Sequence, residues 1–136
     1  MQTVESSRFV RAPPDAVDRH LTPETIVEYE GSFTVRDVRE REDDWLVTAG
    51  TATLELTFRF ERLDNGFYYE QEGEEGPLEV METTLTCEPE DEGTRVTVQS
   101  TVHMGLWPAA LTDRIAAWKR RSELERALER LAADLE

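Results

Sequence analysis

From Phe33 to Met104 the chain keeps one rhythm, with apolar side chains at every second residue and no helical stretch between them. Phe33 and Val35 begin it, followed by Trp45, Val47 and Ala49, and then by Leu54, Leu56, Phe58 and Phe60. Phe67 and Tyr69 come next, a further strand runs from Leu78 to Cys87, and Val96, Val98, Ser100, Val102 and Met104 share one face of the last. A period of two sends alternate side chains to opposite faces, and its repetition predicts an antiparallel sheet with one covered and one wet face. Asn65-Gly66 is a strong hairpin turn, and Glu90-Asp91-Glu92-Gly93 makes another, so neighbouring strands follow one another directly.

The ends of the chain have a different grammar. Val4 to Arg11 reads as extended, after which Pro13 and Pro14 stop any ladder and suit the first positions of a helix over Ala16 to Leu21. Thr22-Pro23-Glu24 opens a second short helix with Thr22 as its N-cap, Ile26, Val27 and Tyr29 as its apolar side, and Gly31 at its end. After Gly105-Leu106-Trp107-Pro108 a long helix follows. Leu111, Ile115 and Trp118 form one stripe on it, while Leu124, Leu128, Leu131 and Leu135 lie well round the helix from the first set. An apolar face that shifts midway means two different surroundings. With no repeats or linkers, residues 1–136 are expected to form one domain.

At 136 residues the chain is long enough to bury roughly two-thirds of its unfolded surface without staples. Cys87 is its one cysteine and His20 and His103 its two histidines, which excludes an internal disulfide and leaves no metal site or cofactor to expect. Fourteen arginines and a single lysine, Lys119, face thirty acidic residues, for a net charge of −15. Such a surface repels nucleic acid and anionic lipid. Together with the shortage of lysine it points to adaptation to a salt-rich cell, where self-repulsion is screened. No apolar run approaches the ~20 residues of a membrane span, so no membrane insertion and a soluble, cytoplasmic protein are expected.

Strand, two short helices, six strands and one long helix is an unusual order, and it resembles the helix-grip fold of the START-related superfamily, also called SRPBCC. That superfamily includes polyketide cyclases, lipid-transfer domains and birch-pollen-allergen-like proteins. "FVRAPPDAVDRHL", from Phe9 to Leu21, is similar to the family opening at Ala12, Pro13, Val17 and Leu21, with Asp18 where an aromatic is usual. "LTCEPEDEGTRVTVQSTV", from Leu85 to Val102, resembles the family's last hairpin, and Gly105 before the long helix fits as well. The resemblance implies an α+β fold: a seven-stranded antiparallel sheet wrapped round the C-terminal helix, with a cavity between them.

That cavity is expected to hold a small hydrophobic molecule, with walls from Phe58, Tyr69, Met81, Val98, Val102, Met104, Leu111, Ile115 and Trp118, and with Trp107 as a lid. Trp118 would form the floor, Ser122 would reach the cavity from the same stripe, and Trp45 would lie apart at a strand start. One hydroxyl of Tyr68 and Tyr69 is expected to point inward. Strand parity turns His103 outward, and the phase set by Met81, Thr83, Leu85 and Cys87 turns Glu82 to solvent. Lys119-Arg120-Arg121 reads as a solvated helix face paired with Glu123 and Glu125. No Ser-His-Asp set, glycine-rich phosphate loop or paired carboxylates appear, which favours binding over catalysis. A cyclase- or dehydratase-like enzyme in the same cavity and a protein-interaction module are the alternatives; nothing in the sequence names a protein partner.

Overall fold

The computed structural model describes residues 1–73 and 75–136. Seven strands form a single antiparallel sheet: β1 (Gln2–Val10), β2 (Thr34–Glu40), β3 (Trp45–Gly50), β4 (Glu55–Leu63), β5 (Gly66–Glu72), β6 (Val80–Glu90) and β7 (Gly93–His103). Their order across the sheet is β1-β7-β6-β5-β4-β3-β2, so the five later strands follow β2 as a plain meander and β1 returns to pair with β7. Helices α1 (Pro14–His20) and α2 (Pro23–Glu30) join β1 to β2, and α3 (Ala109–Leu135) closes the chain. This is the helix-grip arrangement expected from the order of elements.

Local chemistry sets the boundaries. Pro13 precedes α1 in extended conformation, with Pro14 the first helical residue. Thr22 caps α2, its Oγ1 accepting the Thr25 N–H at 3.1 Å, and Gly31 ends that helix with a φ of 80°, in the left-handed region where glycine alone is free of Cβ conflict. At the β6–β7 hairpin Glu90 pairs with Gly93 around Asp91 and Glu92, both with positive φ, as a two-residue turn with right-handed twist requires. Gly105, with a φ of 72°, swings the chain out of β7 toward α3.

The covered face of the sheet carries Val47, Ala49, Leu56, Phe58, Phe60, Phe67, Tyr69, Met81, Leu85, Val96, Val98 and Val102. Met81, Thr83 and Leu85 are buried and Glu82 is exposed, in the phase read from the sequence. The long helix departs from the reading. Its buried residues are Asp113, Ala116, Ala117, Arg120, Glu123, Leu124, Leu128, Leu131 and Ala132. Leu111, Ile115 and Trp118, expected to face the sheet, are 56%, 58% and 73% exposed. The first half of α3 is therefore rotated by about half a turn from expectation, and the apolar stripe there is its solvent face. The physical reason lies in two alanines: Ala116 and Ala117 let the helix approach the sheet closely while adding little apolar signal to the sequence.

Candidate functional site

Between the sheet and the first half of α3 lies a cavity of about 160 Å³. Its apolar walls come from Phe33 ahead of β2, Leu56 and Phe58 on β4, Met81 on β6, Met104 after β7, and Pro77 and Leu78 before β6. Ile115 and Ala116 on α3 complete them. Polar groups enter at few points: Gln71, Lys119, and the set Glu30, Arg120 and Glu123. A volume near that of an apolar cavity known to hold a benzene ring suits a single aromatic ring or a short aliphatic group.

Arg120 is 3% exposed, and every N–H of its guanidinium is spoken for. Nε donates to Ser100 Oγ at 3.0 Å; one terminal nitrogen donates to Glu30 Oε1 at 2.5 Å and to Glu123 Oε1 at 3.3 Å. The other donates to Thr83 Oγ1 at 2.8 Å and to Glu30 Oε2 at 3.2 Å, with the Tyr69 hydroxyl also at 3.2 Å. Tyr69 in turn donates to Glu30 Oε2, Ser32 donates to Glu123, and Thr83 Oγ1 lies 2.8 Å from Ser100 Oγ. Burial acts to lower the guanidinium pKa, but the Glu30 carboxylate, Tyr69 and Glu123 outweigh it and hold the charge well above the ordinary arginine range. Burial, then the negative charge of Glu30, push the Tyr69 hydroxyl well above its usual value, so it stays a neutral donor.

This knot joins α2, β5, β6, β7 and α3 and forms the inner wall of the cavity. On its far side Tyr69, Leu85, Val98, Leu124, Leu128 and Leu131 leave a void of only about 10 Å³, room for one water at most. The molecule is thus hollow on one side of Arg120 and solid on the other.

The whole chain, residues 1–136, matches the model of the family described as polyketide cyclase / dehydrase and lipid transport. The chain belongs to that family. No curated protein matches it by sequence. Among solved structures it is similar to XoxI from Bacillus cereus, with a TM-score of 0.77 and 13% identity over 99% of this chain and 96% of that one. A START superfamily protein from Mycobacterium smegmatis superposes with a TM-score of 0.69 and 14% identity over 98% and 99% of the two chains. The di-domain ARO/CYC BexL, from the BE-7585A biosynthetic pathway, gives 0.69 and 23% over 99% of this chain and 47% of that one. At these identities the likeness is one of fold.

In this polyketide cyclase / dehydrase and lipid transport chain the residues expected at the site separate into three groups. Phe58, Met81, Met104 and Ile115 line the cavity, Ile115 at its rim. Tyr69, Val98 and Val102 are buried among the sheet's packed side chains, Tyr69 reaching the cavity's inner wall only through its hydroxyl. Trp107, Leu111 and Trp118 stand outside: Trp107 is 93% exposed and covers nothing, and Trp118 is no floor because α3 turns it to solvent. Ser122 follows the same outward stripe and donates to the Trp118 carbonyl. Trp45 is half-buried against Phe67, more enclosed than expected.

The reading of Lys119-Arg120-Arg121 as a wholly solvated face is also corrected. Lys119 and Arg121 are exposed, but Arg120 is the most deeply connected side chain of the site. A signal for it existed: stepping back from Leu131 and Leu128 to Leu124 by threes and fours reaches Arg120, Ala116 or Ala117, and Asp113, all buried. His103 does not line the cavity. Its Nδ1 lies 2.8 Å from Asp113 Oδ2 and its Nε2 3.5 Å from Glu79, while Asp113 Oδ1 accepts the Met104 N–H at 2.8 Å. The Met1 ammonium, that N–H and the imidazole hold the Asp113 carboxyl well below the usual carboxylate range. Cys87 is half-buried, and burial pushes its thiol up to about 11, so it carries no thiolate at neutral pH. Among the described residues no cluster of three or more metal-ligating side chains occurs, and no helix is long and apolar enough to cross a membrane.

Proposed function

We propose that this chain holds one small, mostly apolar molecule in the cavity between the sheet and α3, without transforming it. The observation that carries the reading is the cavity itself, walled by Phe33, Leu56, Phe58, Met81, Met104 and Ile115, beside a polar knot whose hydrogen bonds close on the protein. A guanidinium with all its N–H groups engaged has none left to activate a substrate. Phe58, Met81, Met104 and Ile115 serve as ligand contacts in this reading. Native mass spectrometry of protein isolated from its own host tests it: a co-purified apolar molecule of about one ring in size supports it, and ligand-free protein that also refuses small aromatic probes overturns it.

A specific observation favours a second reading, a cyclase- or dehydratase-like enzyme. Glu30 lines the cavity as a carboxylate bonded to the Tyr69 hydroxyl, a pair able to exchange a proton with a bound carbonyl compound. Under that reading Glu30→Gln abolishes turnover while ligand is still bound. We further propose that the −15 charge adapts the chain to a salt-rich cell interior, so that its melting temperature rises from dilute buffer to molar potassium chloride. A flat or falling midpoint contradicts that.

A further inference from the structure

Leu106, Trp107, Leu111, Ile115 and Trp118, the largest apolar side chains left in solvent apart from Met1 and Val38, belong to one stretch of chain. On α3, at about 100° per residue, Leu111, Ile115 and Trp118 make a single stripe, with Arg114 and Arg121 along one side of it and Lys119 along the other. All three basic residues are exposed; Lys119 Nζ lies 3.8 Å from Glu123 Oε2 and Glu125 follows Arg121 by one turn, so Arg114 and Arg121 carry most of the positive charge beside the stripe, while Asp113 is buried against Met1 and His103. Across the turn, Glu79 packs on Gly105 and sits 3.5 Å from the His103 ring. A chain of net charge −15 therefore concentrates its exposed aromatics and a local positive charge on one face.

We propose that this face docks peripherally on an anionic phospholipid surface, laying the first half of α3 in the interfacial plane. Indole rings are the side chains that favour the boundary between headgroups and acyl chains, and flanking arginines and lysines reach from an apolar stripe to lipid phosphates. The face is continuous with the cavity, since Ile115 and Lys119 belong both to the stripe's border and to the cavity lining. Docking would set the cavity mouth against the bilayer, where an apolar ligand is most concentrated. A second copy of the chain fits worse: a twofold contact places the patch on itself and opposes Arg114, Lys119 and Arg121 to their own copies. The acidic remainder of the surface does not forbid docking, because charges more than about 8 Å from the lipid are screened at physiological salt.

The test is vesicle flotation of the intact chain, with no added ligand, on phosphatidylcholine alone and on phosphatidylcholine mixed with phosphatidylglycerol, at physiological salt. Binding is expected on the mixed vesicles, with a blue shift of tryptophan emission. Each of Arg114→Ser and Arg121→Ser should weaken it about fivefold, the effect of losing one basic side chain at such a surface. Trp107→Ala with Trp118→Ala should abolish it, and all four substituted positions are exposed, so circular dichroism should stay unchanged. Equal binding of the chain and the double tryptophan variant, or no binding to either vesicle, overturns the proposal. So does a concentration-dependent dimer in sedimentation that the same substitutions dissolve. Because the assay uses empty protein, its failure leaves the cavity reading standing, and an empty cavity leaves the docking result standing.

Discussion

The two halves of α3 carry apolar side chains in similar number and use them in opposite ways. Beyond Glu123 the helix buries Leu124, Leu128 and Leu131 against α2 and the sheet, and almost no space remains. Before Glu123 it turns Leu111, Ile115 and Trp118 outward and presents Asp113, Ala116, Ala117 and Arg120 inward. Small residues in place of leucines leave the cavity open, and a guanidinium bonded to five side chains keeps the sheet from collapsing into it. A helix can thus anchor a fold with one half and frame a cavity with the other, provided something rigid stands at the junction. Arg120 is that junction.

The largest expected effect breaks the junction. Arg120→Met leaves Glu30 buried without its cation and Glu123 with Lys119 alone, and should cost about 3–5 kcal/mol in chemical denaturation, with part of it recovered by adding Glu30→Gln. A loss below about 1 kcal/mol would mean that the knot does not hold the halves apart.

Next in size is the contrast along the helix itself. Leu128→Ala should destabilise by about 2–5 kcal/mol, whereas Leu111→Ala, at a solvent-facing position, should stay within about 0.5 kcal/mol. Equal losses at both positions would show that the first stripe is packed after all and that the helix sits in the phase read from the sequence.

A smaller effect tests how the open half is fastened at its start. Asp113 has a folded pKa depressed below its unfolded value, so its contribution is present above the ordinary aspartate range and is lost as pH falls through the depressed value. Stability should therefore begin to fall below about pH 5 and keep falling below about pH 3 toward that depressed value, and Asp113→Asn should flatten that part of the acid limb. An unchanged acid limb in the variant would show that the contacts to Met1, His103 and Met104 contribute nothing.

Much of the fold was legible because each boundary had a local cause that a sequence displays. Pro13-Pro14, Thr22-Pro23, Asn65-Gly66 and Asp91-Glu92-Gly93 dictate their own backbone, and strict alternation sets which face of each strand is covered. Strand parity also placed Glu82 outward and Tyr69 inward. The site was less legible because cavities are made by what is missing. Ala116 and Ala117 give little hydrophobic signal, while Leu111, Ile115 and Trp118 give a strong one, so in sequence the louder stripe reads as core. Arg120 shares the helical phase of Leu124 and Leu128, but nothing local reveals that its charge is neutralised by Glu30, ninety positions away. Phe58, Met81 and Met104 line the cavity where parity along β4, β6 and the end of β7 puts them, independently of the helix.

Whether the cavity takes a ligand is decided by a calorimetric titration with the neutral single-ring probe toluene, run on the chain, on Ala116→Phe and on Trp118→Ala. Ala116 faces the cavity and Trp118 faces solvent. Saturable binding by the chain is expected, with loss of binding in Ala116→Phe while its fold stays intact by circular dichroism, and little change in Trp118→Ala. Undiminished binding in a folded Ala116→Phe, with loss in Trp118→Ala, would place the ligand on the outer stripe and leave the cavity without one.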